Sequence, residues 1–234
     1  MDGWAYGLTE LPGVRPMICG ASRVANPGCY PAATLLALAP IIAAGIGDPE
    51  GIVVDAKSGV SGAGRGGRSE FGFAETNEDV MPYGLERHSH VPEITEALTR
   101  LQHGTVAETV PPGTSRATVA FTPHLIPMTR GILSACHVRT TRPVTADELA
   151  ALYADAYAGE PFVRVVDAPP ATKHVLGSNH ARVHARLDGR TGRILAIGVI
   201  DNLVKGAAGQ AIQAFNVVSG LPETAGLEQL PLAP

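Results

Sequence analysis

Apolar and polar positions along the chain divide it into a small set of elements. The run over residues 32–39 is almost wholly apolar and predicts a helix that stops before Gly45-Ile46-Gly47-Asp48-Pro49. Residues 51–56 read as a buried strand. Residues 117–124 and 131–139 are two strand-like runs joined by Pro127-Met128-Thr129-Arg130, a spacing that predicts a hairpin. Thr145-Ala146-Asp147-Glu148 is a capping-box pattern. It opens a helix to about residue 158, with Leu149, Leu152, Tyr153 and Ala156 on one face, and Gly159 stops it. Residues 162–166 read as a strand, and Pro169-Pro170 breaks the chain. Residues 175–187 read as extended, with His180, Arg182, His184 and Arg186 alternating against Ala181, Val183, Ala185 and Leu187. That polar row suits a solvated or subunit-facing sheet surface. A glycine-rich turn at 188–192 leads into a strand over 193–200, and a small-residue helix runs to about Ser219. Residues 1–25 look irregular apart from a short strand at 22–25, and residues 69–87 look like an acidic excursion. Together these predict an α+β fold, a mixed and mostly antiparallel sheet with helices on one face.

Composition narrows the field. Hydrophobic residues make up 45% of 234 and charged residues 17%, enough for a sizeable core. A net charge of −4 with no basic run argues against nucleic-acid or anionic-membrane binding. The longest apolar stretch, residues 35–46, contains Pro40 and Gly45 and is too short to cross a bilayer. Three scattered cysteines, Cys19, Cys29 and Cys136, supply neither a disulfide framework nor a CxxC zinc site, so no metal is expected. No signal-peptide pattern opens the chain, and a reducing, cytoplasmic setting fits best.

The chemistry concentrates at Asn26-Pro27-Gly28-Cys29-Tyr30-Pro31. Pro31 suits a first helical turn, which puts Cys29 at a helix N-terminus. Free N–H groups and the helix dipole there favour a thiolate, and so a nucleophile. The plainer alternative is a small hydrophobe at a turn. The loop at 57–68 packs glycines, Ser58, Ser61 and cations including Arg65 after a strand; it is either an anion cradle or a flexible surface loop. It is not a Walker loop. In an extended stretch His88 and His90 would point the same way, as an acid/base partner for Cys29, as metal ligands, or as a surface pair. Acid/base is favoured over metal, because no third ligand stands at helpful spacing. Cys136 falls inside a strand and reads as packing; His124 reads as core or edge. At 201–210 a strand ends, and small residues with Lys205 either admit a ligand close to the backbone or serve tight helix–sheet packing.

Four of these stretches, 26–33, 58–65, 88–94 and 201–210, together with Pro127-Met128-Thr129-Arg130-Gly131-Ile132, resemble the N-acetyl-gamma-glutamyl-phosphate reductase family, in that family's order over nearly the whole chain. The cysteine and Asp-Asn-Leu-Val-Lys-Gly motifs are shared in outline with aspartate-semialdehyde dehydrogenase; the histidine and serine–glycine motifs favour the former. The resemblance implies a glyceraldehyde-3-phosphate-dehydrogenase-like C-terminal domain and the NADP-dependent reduction of an acyl phosphate to an aldehyde through a cysteine thioester. It implies Cys29, His88 and His90 as catalytic. Asn26, Ser58, Ser61, Arg65, Glu93 and Arg130 would bind substrate, and Gly59, Asn202, Lys205 and Gly206 would lie by the cofactor. A homodimer or homotetramer is implied as well. One departure stands out: no strand–glycine turn–helix of the dinucleotide-binding kind precedes Cys29. Residues 1–28 are thus expected to be a lead-in, 29–200 the catalytic and oligomerisation unit, and 201–234 to carry a helix that packs on a cofactor domain. The chain looks like the catalytic portion, cut from that domain or encoded without it. The rival readings are a dehydrogenase for a related semialdehyde, of the aspartate or aminoadipate type, a non-catalytic assembly domain, and a cysteine-dependent acyl transferase or hydrolase.

Overall fold

The structure is a computed structural model that describes residues 3–64, 72–106, 110 and 113–232. At its centre lies α2, Cys29–Ala43, buried along nearly its whole length. A helix apolar all round has no solvent face to offer, so other elements enclose it. One layer is a seven-stranded sheet with the order β4-β5-β3-β6-β9-β8-β7. Its strands are β3 Ile52–Ser58, β4 Met81–Pro82, β5 Val119–Leu125, β6 Ile132–Arg139, β7 Val163–Val165, β8 Ala181–Asp188 and β9 Arg193–Ile200. The pairs β3–β5 and β7–β8 are parallel; β3–β6, β4–β5, β6–β9 and β8–β9 are antiparallel. The sheet is mixed and mostly antiparallel, as the alternation predicts.

Period-two patterning sends Ile52, Val54, Ala56, Ile132, Cys136, Val138, Ile194 and Ala196 to the α2 side, where all are fully buried. Gly198 makes room for the crossing, since a Cβ there would lie 2.1 Å from the Ala33 carbonyl oxygen. Thr34 and Ser134 share a hydrogen bond of 2.8 Å across that interface. Helices α4, His90–Leu101, and α5, Ala146–Ala156, flank α2 on the same face.

Pro40 sits inside α2 and brings no N–H to the Leu36 carbonyl. Two tyrosines at the end of α5 repair the damage. The Tyr157 hydroxyl donates to Leu36 O, and the Tyr153 hydroxyl donates to Ala37 O. Tyr157→Phe strands that carbonyl in the core and is expected to cost about 1–3 kcal/mol; a urea midpoint unchanged from the parent would show the bond to be dispensable.

Several elements differ from the sequence reading. The 117–139 hairpin does not form: β3 lies between β5 and β6 and pairs with both. Pairing β3 on both edges, with Ile52, Val54 and Ala56 buried, outweighs a short loop. Residues 1–25 are not irregular. They hold β1, Ala5–Tyr6, paired in parallel with β2, Val24–Ala25, and a short helix α1, Val14–Cys19. Leu8, Leu11, Val14 and Ile18 belong to the main core. The α4 helix starts at His90, so His88 and His90 do not share one extended stretch. The extended run begins only at Ala181, after a 3-10 turn over Thr172–Val175. His184 from the polar row is buried, its Nδ1 2.8 Å from Val166 O. Ala156, placed on the buried face of α5, is exposed.

Candidate active site

Pro27 and Gly28 deliver the chain into α2 with extended backbone at Gly28, the N-cap, so that Cys29 is the first helical residue. A cleft of about 200 Å³ opens at that point, lined among others by Cys29, Tyr30, Ser58, Gly62, Tyr83, His88 and His90. These groups come from the α2 start, the end of β3, the 3-10 turn over Val60–Ala63, the residue after β4 and the segment leading into α4.

Both histidines reach the cleft despite the helix start. Their ring centroids lie 4.8 Å apart. A Cβ on Gly28 would stand 2.5 Å from His90 Nε2, so His90 packs directly on the cysteine turn and only glycine fits before Cys29. His88 Nδ1 accepts the His90 backbone N–H at 3.2 Å, which leaves the other His88 ring nitrogen to carry the proton. Burial lowers the pKa of His88, and burial with His88 alongside lowers that of His90 to about 4. Both rings are neutral at pH 7.

The thiol differs from expectation. The N–H groups of Tyr30 and Cys29 do favour a thiolate, yet burial outweighs them and raises the Cys29 pKa, with the Glu93 carboxylate adding to the rise. Helix-terminus stabilisation is a surface-strength effect of well under the desolvation cost of a half-buried sulfur. At rest the site therefore holds a thiol beside neutral imidazoles, not a thiolate–imidazolium pair.

Ser58 lines the cleft and Ser61 does not. Ser58 donates to Gly59 O at 3.0 Å, and Ser61 Oγ accepts from Asn202 Nδ2 at 3.0 Å. Arg65 lies outside the described residues. Arg130 is half-buried and pairs with Asp201 at 3.1 Å. Asn26 is exposed, its amide donating to Ala207 O at 3.2 Å. The Glu93 carboxylate faces away from the cleft, accepting from Tyr6 and from Gly28 N.

The four residues expected by the cofactor turn inward. Asn202 accepts from Gly131 N at 2.7 Å with its carbonyl and gives its NH₂ to Ser61. Lys205 is fully buried, its ammonium donating to Glu10 and Gln213. Gly206, in a π-helical turn over Val204–Ala208, packs on Cys29: a Cβ there would lie 2.8 Å from Cys29 Cβ. Gly59 packs as closely on the 128–130 backbone. Glu10, Glu160 and Glu223 approach one another closely enough to hold a cation, but Lys205 and Arg15 already answer their charge.

Tyr30 and Tyr83 were not singled out from sequence. Tyr83 donates to Tyr30 at 3.0 Å on the cleft wall. Tyr30 stands next to Cys29 but reads as core; Tyr83 comes from the 69–87 excursion, where spacing offers no signal.

The chain sets a cysteine at a helix start against a mixed, mostly antiparallel sheet, and residues 29–202 match the family model described as semialdehyde dehydrogenase, dimerisation domain, which places it in the semialdehyde dehydrogenase class. The Vibrio cholerae aspartate semialdehyde dehydrogenase II structure shares the fold, with a TM-score of 0.67 and 21% identity over 93% of this chain and 68% of that one. Two curated relatives are nearer in sequence. The N-acetyl-gamma-glutamyl-phosphate reductase of Methylobacterium sp. is 52% identical over all of this chain and 68% of its own length. That of Bradyrhizobium sp. (strain ORS 278) is 50% identical with the same coverage. Within the class, the chain belongs to the N-acetyl-gamma-glutamyl-phosphate reductase family. Among the described residues no helix is long and apolar enough to cross a membrane.

Proposed function

We propose that this chain forms the catalytic portion of an enzyme that reduces N-acetyl-gamma-glutamyl phosphate to N-acetylglutamate semialdehyde, a step of arginine biosynthesis, through a thioester on Cys29. The observation that carries the reading is Cys29 at the α2 N-terminus with His90 packed on its turn. His90, neutral and with its Nε2 against Gly28, takes the thiol proton as the sulfur attacks the acyl carbonyl. The C–S bond forms, the C–O bond to phosphate breaks, and phosphate leaves with its electron pair. The Tyr30 hydroxyl, held protonated chiefly by burial and accepting from Tyr83, is the donor on the cleft wall for the developing oxyanion.

The hydride donor in this proposal is NADPH, as the family resemblance implies; when bound, a nicotinamide supplies the hydride that takes the thioester to the aldehyde level. Asn202 and Lys205 do not fit as its ligands, because their polar atoms are spent within the fold. Asn202 ties Ser61 to the Gly131 backbone instead, and Lys205 answers the Glu10 charge. We further propose that two copies pair through the open sheet face, where Val53 is exposed and Leu133 and Leu195 are half-covered.

Mixing the acyl phosphate with protein in the absence of reductant is expected to release phosphate in a burst equal to the chain concentration and to leave an acyl group on the Cys29 peptide. The burst rate should stay level from about pH 8 down to about pH 5 and fall as His90 protonates near 4. Phosphate release without acylated Cys29 would refute the covalent route. A half-maximal rate at the ordinary histidine value of about 6.5 would take His90 out of the proton transfer.

A further inference from the structure

Glu93 has the least obvious place in the site. It stands on α4 and belongs by its motif with the two histidines, yet its carboxylate does not line the cysteine cleft. It borders the neighbouring pocket, with Trp4, Tyr6, Met17 and Arg100. One oxygen, Oε1, takes two donors: the Tyr6 hydroxyl at 2.7 Å and the Gly28 backbone N–H at 3.0 Å. Gly28 is the residue before the nucleophile. Tyr6 in turn sits in β1, paired with Ala25 of β2, and Gly7 N donates to Ala25 O at 2.8 Å. A closed ring results, running from Tyr6 through Glu93 to Gly28 and back along the 25–28 backbone. Its effect is to lock the turn that presents Cys29.

We propose that Glu93 is a positioning residue for Cys29, clamping the cysteine turn to β1 through Tyr6, and not a ligand of the substrate. The proposal rests on Cys29 being the nucleophile. Electrostatics supports it from an unexpected side. The Glu93 charge raises the Cys29 pKa, so a carboxylate here works against the thiolate. Geometry explains its presence: a single oxygen with two lone pairs accepts both donors at once, and a carboxylate makes each bond charge-assisted.

Three variants test this in the enzyme containing the chain. Each is read by steady-state kinetics and by the iodoacetamide labelling rate at the Cys29 peptide, followed by mass spectrometry because Cys19 is exposed and reacts as well. Glu93→Ala is expected to lower kcat roughly 10- to 100-fold while KM changes less than about threefold, since only nucleophile geometry is lost. Tyr6→Phe, remote from the cleft, should lower kcat in the same direction, and the pair should be no worse than Glu93→Ala alone. Glu93→Gln keeps the accepting oxygen and removes the charge. It should hold kcat near the parent and speed Cys29 labelling about twofold at pH 7, through a lower thiol pKa. Should Glu93→Ala fail to fold, Tyr6→Phe and Glu93→Gln still decide. A raised KM at constant kcat in the Glu93 variants, with Tyr6→Phe matching the parent in both readouts, would make Glu93 a substrate ligand and overturn the proposal. Full turnover in Cys29→Ser would instead remove the reading beneath it, while the labelling rates would no longer bear on catalysis.

Discussion

Cys29→Ser is expected to abolish turnover, by about 10³-fold or more. Serine fits the site without strain, because the side chain is smaller and the α2 start, the Gly28 N-cap and the Gly206 contact all remain. What disappears is the sulfur that the proposed mechanism uses as its nucleophile, with His90 as the proposed base. An alcohol proton is far harder to remove than a thiol proton, and the acceptor here is a neutral imidazole whose basicity burial has already reduced to about 4. That base suffices for a thiol whose charge is quenched as the C–S bond forms. It does not suffice for a hydroxyl. The check is the rate of aldehyde formation together with the phosphate burst; both should vanish while the melting temperature holds. A variant that retained a substantial fraction of its rate would mean that the acyl group never resides on residue 29.

Lys205→Met is expected to show the largest loss of stability, about 3–5 kcal/mol. Lys205 and Glu10 are both inaccessible to water and lie 2.5 Å apart. Burial pushes the Glu10 carboxyl up, and the Lys205 ammonium outweighs that and holds it below the usual range, helped by Gln213. Truncating the lysine leaves an anion in the core with only neutral donors, Thr9 and Gln213. The pH dependence has a definite sign. A carboxyl with a lowered folded pKa contributes stability above its unfolded value, near 4.5, and loses it as pH falls through the folded value. The deficit of the variant is therefore widest at neutral pH and narrows toward pH 4, where its stranded Glu10 can take a proton. Adding Glu10→Gln should recover most of the loss. Urea titrations of parent, single and double variants check this. A Lys205→Met protein that melts like the parent but needs more NADPH would return Lys205 to the cofactor site that the resemblance suggested.

The site was legible where chemistry and local geometry coincide in sequence. Pro27-Gly28-Cys29-Tyr30-Pro31 spells a turn and a helix start, and the structure builds both there. The strands at 51–56, 131–139 and 193–200 were legible because period and length agree with a half-covered sheet. The turn at 188–192 was legible from its glycines, and Thr145 caps α5 through Glu148 N as the motif predicts. Strand order was not. A loop of a few residues between β5 and β6 argues for a hairpin locally, and nothing local records that β3, over sixty residues earlier, is the better partner for both.

By itself, then, the chain's order of residues determined its family, its helix-on-sheet character and the placement of Cys29 at a helix start, because turn chemistry and side-chain period act over a few neighbours. Only the tertiary structure decided what each polar group does once it is there. Glu93 and Lys205 read as ligands by motif and are partners of Tyr6, Gly28 and Glu10 in space. The thiol's protonation was likewise decided in three dimensions. Desolvation depends on everything packed around an atom, and that sum is written nowhere along the chain.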